Sequence, residues 1–336
     1  MSGKIRLAEG GGGEATANLI KDIFWSRFRH PELLKGNDAA ILKEPELKLA
    51  VTTDSFVVTP WKFPGGDIGK LAICGTVNDL TMAGAEPLGL TVSFIIEEGF
   101  EIDSLALIVQ SMADTASESG IDIVTGDTKV VNKGAADGIF INTTGFGRVN
   151  PNLQLGGELA KDGDRVIITG TVGDHGAAVL IARGELGISS GLVSDVAPLT
   201  KFLLPIIKKF PGRIRVLRDP TRGGIGTTLN EIARQSKVSL RLSENDIPIK
   251  PEVRGISNIL GIDPLYFANE GKALIIVDPE IAGEILITLR ENPLGNEAAL
   301  IGEVTSRNAG LVTIKNGIGG ERILPMGNGE HLPRIC

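Results

Sequence analysis

The sequence predicts a mixed α/β protein with two domains, and three observations lead to this fold class. Predicted strands alternate with predicted amphipathic helices, but not in the strict order that builds a doubly wound parallel sheet. The length of 336 residues exceeds what a single hydrophobic core usually serves. Between residues 150 and 163 the chain becomes polar and rich in glycine, which places a domain boundary near residue 155.

In the first half, the spacing of apolar residues identifies three helices and four strands. A helix follows the glycines Gly10–Gly13, because Leu19 and Ile23 recur at a separation of four residues on one face. A strand ends just before Asp54, and another ends at Gly126 and Asp127. The expected strands are 48–53, 89–96, 121–125 and 139–147, and the two further helices are 67–83 and 102–117. This order predicts a mixed sheet with helices on one face.

The second half begins again with a strand over 165–169 and a glycine-rich turn. Helices are expected at 177–183, 197–209, 225–236 and 251–260, and strands at 273–277, 300–304 and 311–314. The last ten residues have no apolar period and end in Cys336, so they predict a flexible tail. The predicted organisation is an N-terminal domain over 1–155, a C-terminal domain over 156–326 and a tail over 327–336.

Composition excludes several classes of function. A hydrophobic share of 42% and a charged share of 22% are typical of a globular enzyme. The net charge of −7 argues against nucleic acid or an anionic membrane as a partner. Apolar runs are too short for a membrane span or a signal peptide. Two cysteines, Cys74 and Cys336, form no disulfide framework, so a reduced, cytoplasmic protein is expected.

Four aspartates at predicted strand and helix ends are candidate metal ligands. Asp38, Asp54, Asp79 and Asp127 each stand beside glycine, asparagine, serine or threonine. Mg²⁺ prefers carboxylate oxygens together with substrate phosphate oxygens. A single aspartate in such a position is usually a turn former, and the four together leave both interpretations open.

The familiar nucleotide and protease motifs are absent from the sequence. The segment 65–71 resembles a phosphate-binding loop but is one residue short and lacks the closing serine or threonine. There is no dinucleotide fingerprint, no zinc-protease motif and no nucleophile elbow. Glycine is nevertheless abundant, with 44 residues that cluster where backbone could approach a phosphate. A nucleotide would therefore be held by some other arrangement of glycine and aspartate.

Three short strings in the second half carry further candidate residues. Arg222 precedes two glycines and a helix, which is a plausible grip on phosphate. Glu270 follows a mixed apolar run, and partial burial would raise its pKa toward that of a useful general base. His175 stands in a Gly-Asp-His-Gly turn. An ordinary helix start or a solvated turn explains each string equally well, so the residues alone indicate only an ATP-using enzyme.

Taken together, these strings resemble a known family. Gly36-Asn-Asp-Ala-Ala, Asn78-Asp79, Gly126-Asp-Thr-Lys-Val, Asp219-Pro-Thr-Arg-Gly-Gly and Asn269-Glu-Gly-Lys are similar to the aminoimidazole ribonucleotide synthetase (PurM-like) ATP-binding superfamily. Phe63-Pro-Gly-Gly-Asp-Ile-Gly-Lys70, with the terminal Pro333-Arg-Ile-Cys336, resembles its HypE family of hydrogenase maturation proteins. The resemblance extends from Gly10 to Cys336.

The resemblance implies a two-domain PurM-like fold that forms a homodimer through its N-terminal domains and binds ATP and Mg²⁺ near that interface. It also implies a reaction. A HypF-like carbamoyltransferase would load a carbamoyl group onto Cys336, and ATP would drive its dehydration to a thiocyanate. The cyano group would then pass to iron on a HypC–HypD scaffold and become a ligand of [NiFe]-hydrogenase.

The same resemblance assigns roles to the candidate residues. Cys336 would carry the reacting group, Lys129 would neutralise charge on the transferred phosphoryl group, and Glu270 and His175 are the candidate bases. Mg²⁺ would be held by Asp38, Asp54, Asp79 and Asp127. Besides these four, the residues expected to contact ATP are Gly11, Gly12, Asn78, Gly126, Thr128, Asp219 and Arg222.

Two other functions remain open from the sequence. Other members of the superfamily, such as amidine-forming synthetases and thiamin monophosphate kinase, act on a free small molecule and need no terminal thiol. A non-enzymatic carrier would only move a group between partners, and turnover of ATP would distinguish it from an enzyme. A selenophosphate synthetase is excluded because Gly10–Gly13 carries no neighbouring cysteine.

Overall fold

A computed structural model describes residues 13–19, 21–22, 31, 33–44, 47–184, 187–327 and 334–336. The helices are α1 (Glu14–Leu19), α2 (Ile68–Met82), α3 (Ile102–Ser119), α4 (Asp174–Ala182), α5 (Thr200–Lys209), α6 (Gly224–Ser236), α7 (Pro251–Leu260) and α8 (Ala282–Arg290). The first strands are β1 (Ala40–Glu44), β2 (Leu47–Phe56), β3 (Lys62–Phe63), β4 (Gly66–Asp67), β5 (Ala85–Glu97), β6 (Ile123–Val131) and β7 (Ile139–Val149). The remaining strands are β8 (Arg165–Ile168), β9 (Ile214–Arg218), β10 (Ser239–Ser243), β11 (Leu274–Val277), β12 (Ala299–Thr305), β13 (Val312–Lys315) and β14 (Glu321–Ile323).

The N-terminal domain is a five-stranded mixed sheet in the order β1-β2-β7-β5-β6. Strands β5 and β6 are parallel, and the other neighbours are antiparallel. Helix α2 packs on β2, β7 and β5, and α3 packs on α2. Asp67 begins α2 by accepting hydrogen bonds from the backbone N–H groups of Gly69 and Lys70. The predicted mixed sheet with helices on one face is therefore confirmed.

The C-terminal domain is a seven-stranded sheet in the order β14-β13-β10-β12-β8-β11-β9. One face packs against α6 through Ile225, Leu229 and Ile232. A second cluster joins α5 and α8 to alternate residues of the same strands, such as Ile167 and Ile275. Because side chains alternate across a strand, these two clusters lie on opposite faces of the sheet. The two sheets are separated by the stretch from Val149 to Arg165, which contains the predicted boundary.

Strands β2 and β6 both continue beyond their predicted ends, and each difference has a local cause. Strand β2 continues through Asp54, whose carboxylate accepts a hydrogen bond from Thr76 Oγ1 of α2 at 3.1 Å. Strand β6 continues through Gly126 to Val131. A Cβ atom at Gly126 would lie 2.6 Å from the carbonyl oxygen of Val92, so glycine serves close strand pairing there. Neither residue therefore marks a turn.

Several short elements were not predicted. These are β1, β3, β4, β9, β10, β14 and α8. The strands among them are two to five residues long, which is too short for alternation to stand out. Within the described part of the chain, no helix combines the length and apolar character needed to cross a bilayer.

Candidate functional site

Three aspartates from separate elements meet between the two domains. Asp38 precedes β1, Asp79 lies in α2 and Asp219 follows β9. One carboxylate oxygen from each lies within 4.8 Å of the others. We call these three residues the acidic cluster. Asp38 and Asp79 are predicted metal ligands that the fold brings together, and Asp219, predicted only as a nucleotide contact, completes the set.

The acidic cluster is electrostatically strained. Burial, followed by repulsion from neighbouring carboxylates, raises the pKa of Asp79 and of Asp219 well above the usual range. Burial also raises the pKa of Asp38, although Arg218 Nε lies 2.7 Å from its carboxylate and opposes the shift. Three crowded, hard oxygen donors without enough positive charge fit a divalent cation such as Mg²⁺.

Asp54 adjoins the acidic cluster from strand β2. Burial raises its pKa, and both the hydrogen bond from Thr76 and the nearby charge of Arg222 oppose the shift. Thr52, two residues earlier on the same face of the strand, donates from Oγ1 to Asp79 Oδ2 at 2.5 Å. Alternation along β2 therefore directs both polar side chains toward α2 and the cluster.

Glu270 presents a buried carboxyl group on the C-terminal domain side of the cluster. Its side chain is 3% exposed, and Oε1 has no hydrogen-bond partner. Burial first, and then the charges of Asp219, Asp195 and Asp54, raise its pKa well above the usual range. The positive charge of Arg222 opposes this shift, as it opposes the raised pKa of Asp54. A carboxyl group of raised pKa beside a cation site is suited to accept a proton.

Asn78 has a structural position in this fold. Its Nδ2 donates to the carbonyl oxygens of Ala197 and Glu270 at 3.1 and 3.3 Å, and its Oδ1 accepts from Leu199 N at 2.8 Å. The amide thus ties α2 to two segments of the C-terminal domain. The predicted contact of Asn78 with the nucleotide stays a prediction. The hydrogen bonds indicate instead that Asn78 holds the backbone of Glu270 in place.

Asp127 and Lys129 do not join the acidic cluster within one chain. They pair with each other at 2.6 Å on the edge strand β6, where both are exposed. Asp127 is in register with Ser93, Ser93 with Asn142, and Asn142 with Ser55, so this row crosses four strands. Paired residues share a face of the sheet, so Asp127 faces away from α2, opposite to Asp54.

Three strand spacings separate Asp127 from β2, which is about 14 Å. The prediction that Asp127 completes one metal site with Asp38, Asp54 and Asp79 is therefore not met within this chain. Gly126 and Thr128 lie on the same edge strand. Gly11 and Gly12 lie outside the described residues.

The last three residues of the chain are docked, which differs from the predicted free tail. The Ile335 side chain is 2% exposed and belongs to a hydrophobic cluster that contains buried residues of both domains. Val57 N donates to a backbone oxygen of Cys336 at 3.0 Å, next to the end of β2. His175 Nε2 lies 2.7 Å from the carbonyl oxygen of Ile335. The absence of an apolar period concealed this docking because a single buried isoleucine has no period.

Three residues of the site, Arg218, Lys272 and Asp195, were not predicted from the sequence. Arg218 neutralises Asp38, and Lys272 Nζ lies 3.7 Å from Asp195 Oδ2. Asp195 also accepts a hydrogen bond from the backbone N–H of Glu270 at 3.1 Å. Lys272 closes the Asn269-Glu-Gly-Lys string and could have been identified from it, whereas Asp195 stands in no motif.

Comparison with known proteins agrees with this arrangement. Residues 36–149 match the N-terminal domain of AIR synthase related proteins, and residues 161–315 match the C-terminal domain. The carbamoyl dehydratase HypE of Bradyrhizobium diazoefficiens is 48% identical over 335 residues, which cover 100% of this chain and 97% of the relative.

Two solved structures are similar over nearly the whole chain. A structure of the hydrogenase maturation protein HypE in complex with ATP has a TM-score of 0.82 at 45% identity, covering 99% of this chain and 100% of that chain. A HypE–HypF complex contains a chain with a TM-score of 0.87 at 45% identity, covering 92% of this chain and 99% of that chain. The full-length identity and the two domain matches show that this chain belongs to the HypE carbamoyl dehydratase family, within the AIR synthase related proteins.

Proposed function

We propose that this protein is an ATP-dependent carbamoyl dehydratase that acts on its own C-terminal cysteine. The product is a thiocyanate on Cys336, which supplies cyanide ligands for the iron of [NiFe]-hydrogenase. The observation that carries the proposal is the docking of Cys336 at the end of β2, the strand that also bears Asp54. Val57 is three residues beyond Asp54, which is about 10 Å along an extended chain.

The reaction balances with the residues at hand. The oxygen of the S-carbamoyl group bonds to the γ-phosphorus of ATP, and ADP leaves. The C–O bond then breaks with release of phosphate, while the nitrogen gives up its two protons and the C≡N bond forms. The sum is one S-carbamoyl group (a thiocarbamate) and ATP converted to one thiocyanate, ADP, phosphate and one proton. Phosphoryl transfer of this kind requires positioning and charge neutralisation more than covalent help.

Each group of the site has a separate task in this proposal. The acidic cluster and Asp54 would hold Mg²⁺, which neutralises phosphate charge when it is bound. Glu270 is the group best placed to accept a proton, since its raised pKa makes its carboxylate a stronger base than an ordinary glutamate. The positive charge of Arg222 acts on both Glu270 and Asp54, and in this proposal it would also attract a phosphate.

A homodimer would give Asp127 and Lys129 a role. Strand β6 is the edge of its sheet, and its outer residues Val124 and Val130 are exposed apolar side chains. A second copy packed on this edge would bury them and bring a charged pair toward a nucleotide at the interface. We therefore propose a homodimer through the N-terminal domains, with Lys129 neutralising the transferred phosphoryl group.

The proposed reaction requires partner proteins and a reducing compartment. A HypF-like carbamoyltransferase would load Cys336, which agrees with the solved HypE–HypF complex of a relative. A HypC–HypD scaffold would receive the cyano group. A reactive thiol needs reducing surroundings, so we place the reaction in the cytoplasm.

The test is mass spectrometry of the C-terminal peptide after incubation with the carbamoyl donor system and then with ATP and Mg²⁺. We expect one carbamoyl group on Cys336, followed by loss of one water only when ATP is present. The peptide around Cys74 is an internal control, because that thiol is fully buried. A carbamoyl group that persists while ATP is hydrolysed would contradict the proposal and favour a kinase acting on a free substrate.

A further inference from the structure

The terminal tripeptide 334–336 lies between groups from both domains. On the N-terminal side, Thr59 N donates to the carbonyl oxygen of Arg334 at 3.3 Å, beside the Val57 bond to Cys336. On the C-terminal side, Arg183 of the residues following α4 donates from Nη2 to the same Arg334 oxygen at 2.9 Å. Arg183 Nε also donates to Thr59 O at 3.0 Å. The backbone of every residue in the tripeptide is thereby hydrogen-bonded to the protein.

The hydrogen bonds of His175 fix the tautomer of its ring. A carbonyl oxygen only accepts, so Nε2 carries the proton that bonds to Ile335 O. On the other side, Nδ1 lies 2.8 Å from Ser194 Oγ, and that oxygen already accepts from Val196 N at 3.1 Å. In a neutral ring with its proton on Nε2, Nδ1 can only accept, so the Ser194 hydroxyl donates to Nδ1. Burial lowers the pKa of His175, which keeps the ring neutral. The lone pair of Nδ1, which would have to accept the proton if His175 were a base, is already occupied by the hydrogen bond from Ser194.

The turn Phe63–Gly66 holds this histidine in place. Pro64 O accepts a hydrogen bond from Ser194 N at 2.8 Å. Gly65 has a φ of +95°, and a Cβ atom there would lie 2.8 Å from the carbonyl oxygen of Ser194, so only glycine permits the approach. The Phe63 ring meets the His175 ring edge-on at 5.3 Å between centroids. The turn thus orients Ser194, and Ser194 orients His175.

The side chains of the tripeptide are also recognised. Arg334 Nε donates to Val57 O at 2.8 Å, and the guanidinium forms an ion pair with Asp137 in the loop between β6 and β7. Its centre is 5.8 Å from the ring centroid of Phe140. Ile335 fills an apolar position in the core. The site therefore favours a basic residue followed by an apolar one before the cysteine.

We propose that the turn Phe63–Gly66, Ser194, His175 and Arg183 form a receptor that reads the terminal tripeptide and positions the Cys336 thiol. In this receptor, His175 is a positioning residue that donates a hydrogen bond to Ile335, and it is not the base of the reaction. The inference rests on the proposed function in one respect only, namely that Cys336 carries the reacting group. It also explains why the turn motif and the terminal motif occur in the same chain.

The test uses the full chain and the reactivity of its two thiols. Cys74 is fully buried and burial raises its pKa, so alkylation by iodoacetamide reports on Cys336. We expect Arg334→Ala to raise the alkylation rate of Cys336 severalfold, because the docked tail shields it. Arg307→Ala, which removes an exposed arginine outside the receptor, is the matched control. An alkylation rate of Cys336 in Arg334→Ala that equals the parent rate would contradict the proposed receptor.

The role of His175 is tested by a pair of substitutions. His175→Leu removes the donor to Ile335 and should raise the alkylation rate and slow dehydration together. His175→Gln is the rescue variant, because its Nε2 can donate from nearly the same place but has no basic nitrogen. If His175→Gln restores both the slow alkylation of Cys336 and the dehydration rate, His175 acts by positioning the terminal tripeptide. Restored shielding with no dehydration would show that His175 is the base. Alkylation of Cys336 requires neither a carbamoyl group nor ATP. The alkylation rates therefore test the receptor even if the protein does not catalyse the proposed dehydration.

Discussion

Glu270 shows at the scale of one residue how burial prepares a side chain for chemistry. Its backbone is tied to Asp195 and to Asn78, and its carboxyl group is left with an unpartnered oxygen near the acidic cluster. A buried carboxyl oxygen without a hydrogen-bond partner costs folding free energy, so its presence in a folded protein calls for a functional explanation. In the proposed mechanism, that explanation is its role as proton acceptor in the dehydration step.

The first prediction concerns Glu270→Gln. Glutamine keeps the shape but cannot accept a proton, so we expect dehydration to slow by about 10²-fold or more. Carbamoyl groups should accumulate on Cys336, while ATP binding persists. In the parent protein the dehydration rate should rise as pH increases through the raised pKa of Glu270, since the carboxylate is the active form. A variant with the parent rate and the parent pH profile would exclude Glu270 as the base.

At the scale of the element, strand β6 differs most from its predicted role. The sequence places its Gly-Asp pair at a turn, whereas the structure places it inside a fully formed edge strand. Eight of its nine residues are exposed, which is unusual for an edge that natural proteins normally protect. A second copy of the chain covers this edge in the proposed homodimer.

The second prediction is that Val130→Lys weakens the homodimer. Val130 is 68% exposed in the single chain. Because burying a lysine at an interface is unfavourable, this substitution should weaken the association of the two copies several-fold or more. Sedimentation velocity should show a shift from twice the chain mass toward the monomer. Ile287→Lys on α8, at a site 65% exposed, is the control and should leave the mass unchanged. Equal behaviour of the two variants would argue against β6 as the interface.

At the scale of the whole molecule, the acidic cluster depends on both domains. Asp38 and Asp79 come from the N-terminal domain and Asp219 from the C-terminal domain. Burial raises the pKa of all three, and carboxylate repulsion adds to the shift for Asp79 and Asp219, so the folded protein retains protons that the unfolded chain would release. The cluster therefore opposes folding once the pH rises above the ordinary aspartate pKa.

The third prediction follows from the sign of these shifts. Groups with a raised folded-state pKa stabilise the fold below the unfolded pKa and lose that contribution as pH rises through the folded pKa. Without divalent cation, Tm should therefore decline as pH increases across this window. Mg²⁺ at a hundred times its Kd should restore about 2.7 kcal/mol, with the larger effect at higher pH.

Calorimetry with and without Mg²⁺ measures this difference directly. Asp79→Asn is the control, because removing one charge from the cluster should raise Tm without cation and reduce the response to Mg²⁺. A Mg²⁺ response that is the same in the variant and the parent would place the cation elsewhere.

The sequence predicted several helices well and the short strands poorly. Helices α2, α3 and α7 are predicted to within two residues at each end, because each has a clear boundary residue and enough turns for an apolar face to show. Strand β10 was missed because it is short and pairs with β12 and β13, more than fifty residues away. The local pattern of apolar and polar residues does not indicate which distant strands will pair with a given segment.

By itself, the sequence determined the chemical inventory of this protein: carboxylates for a cation, Glu270, and a terminal thiol on Cys336. Only the tertiary structure decided which of these groups meet. It joined Asp219 to Asp38 and Asp79, set Asp127 and Lys129 on the opposite face of the sheet, and turned His175 toward the docked tail. The physical reason is that motifs report residue types and local conformation, whereas strand register and domain packing determine the distances between them.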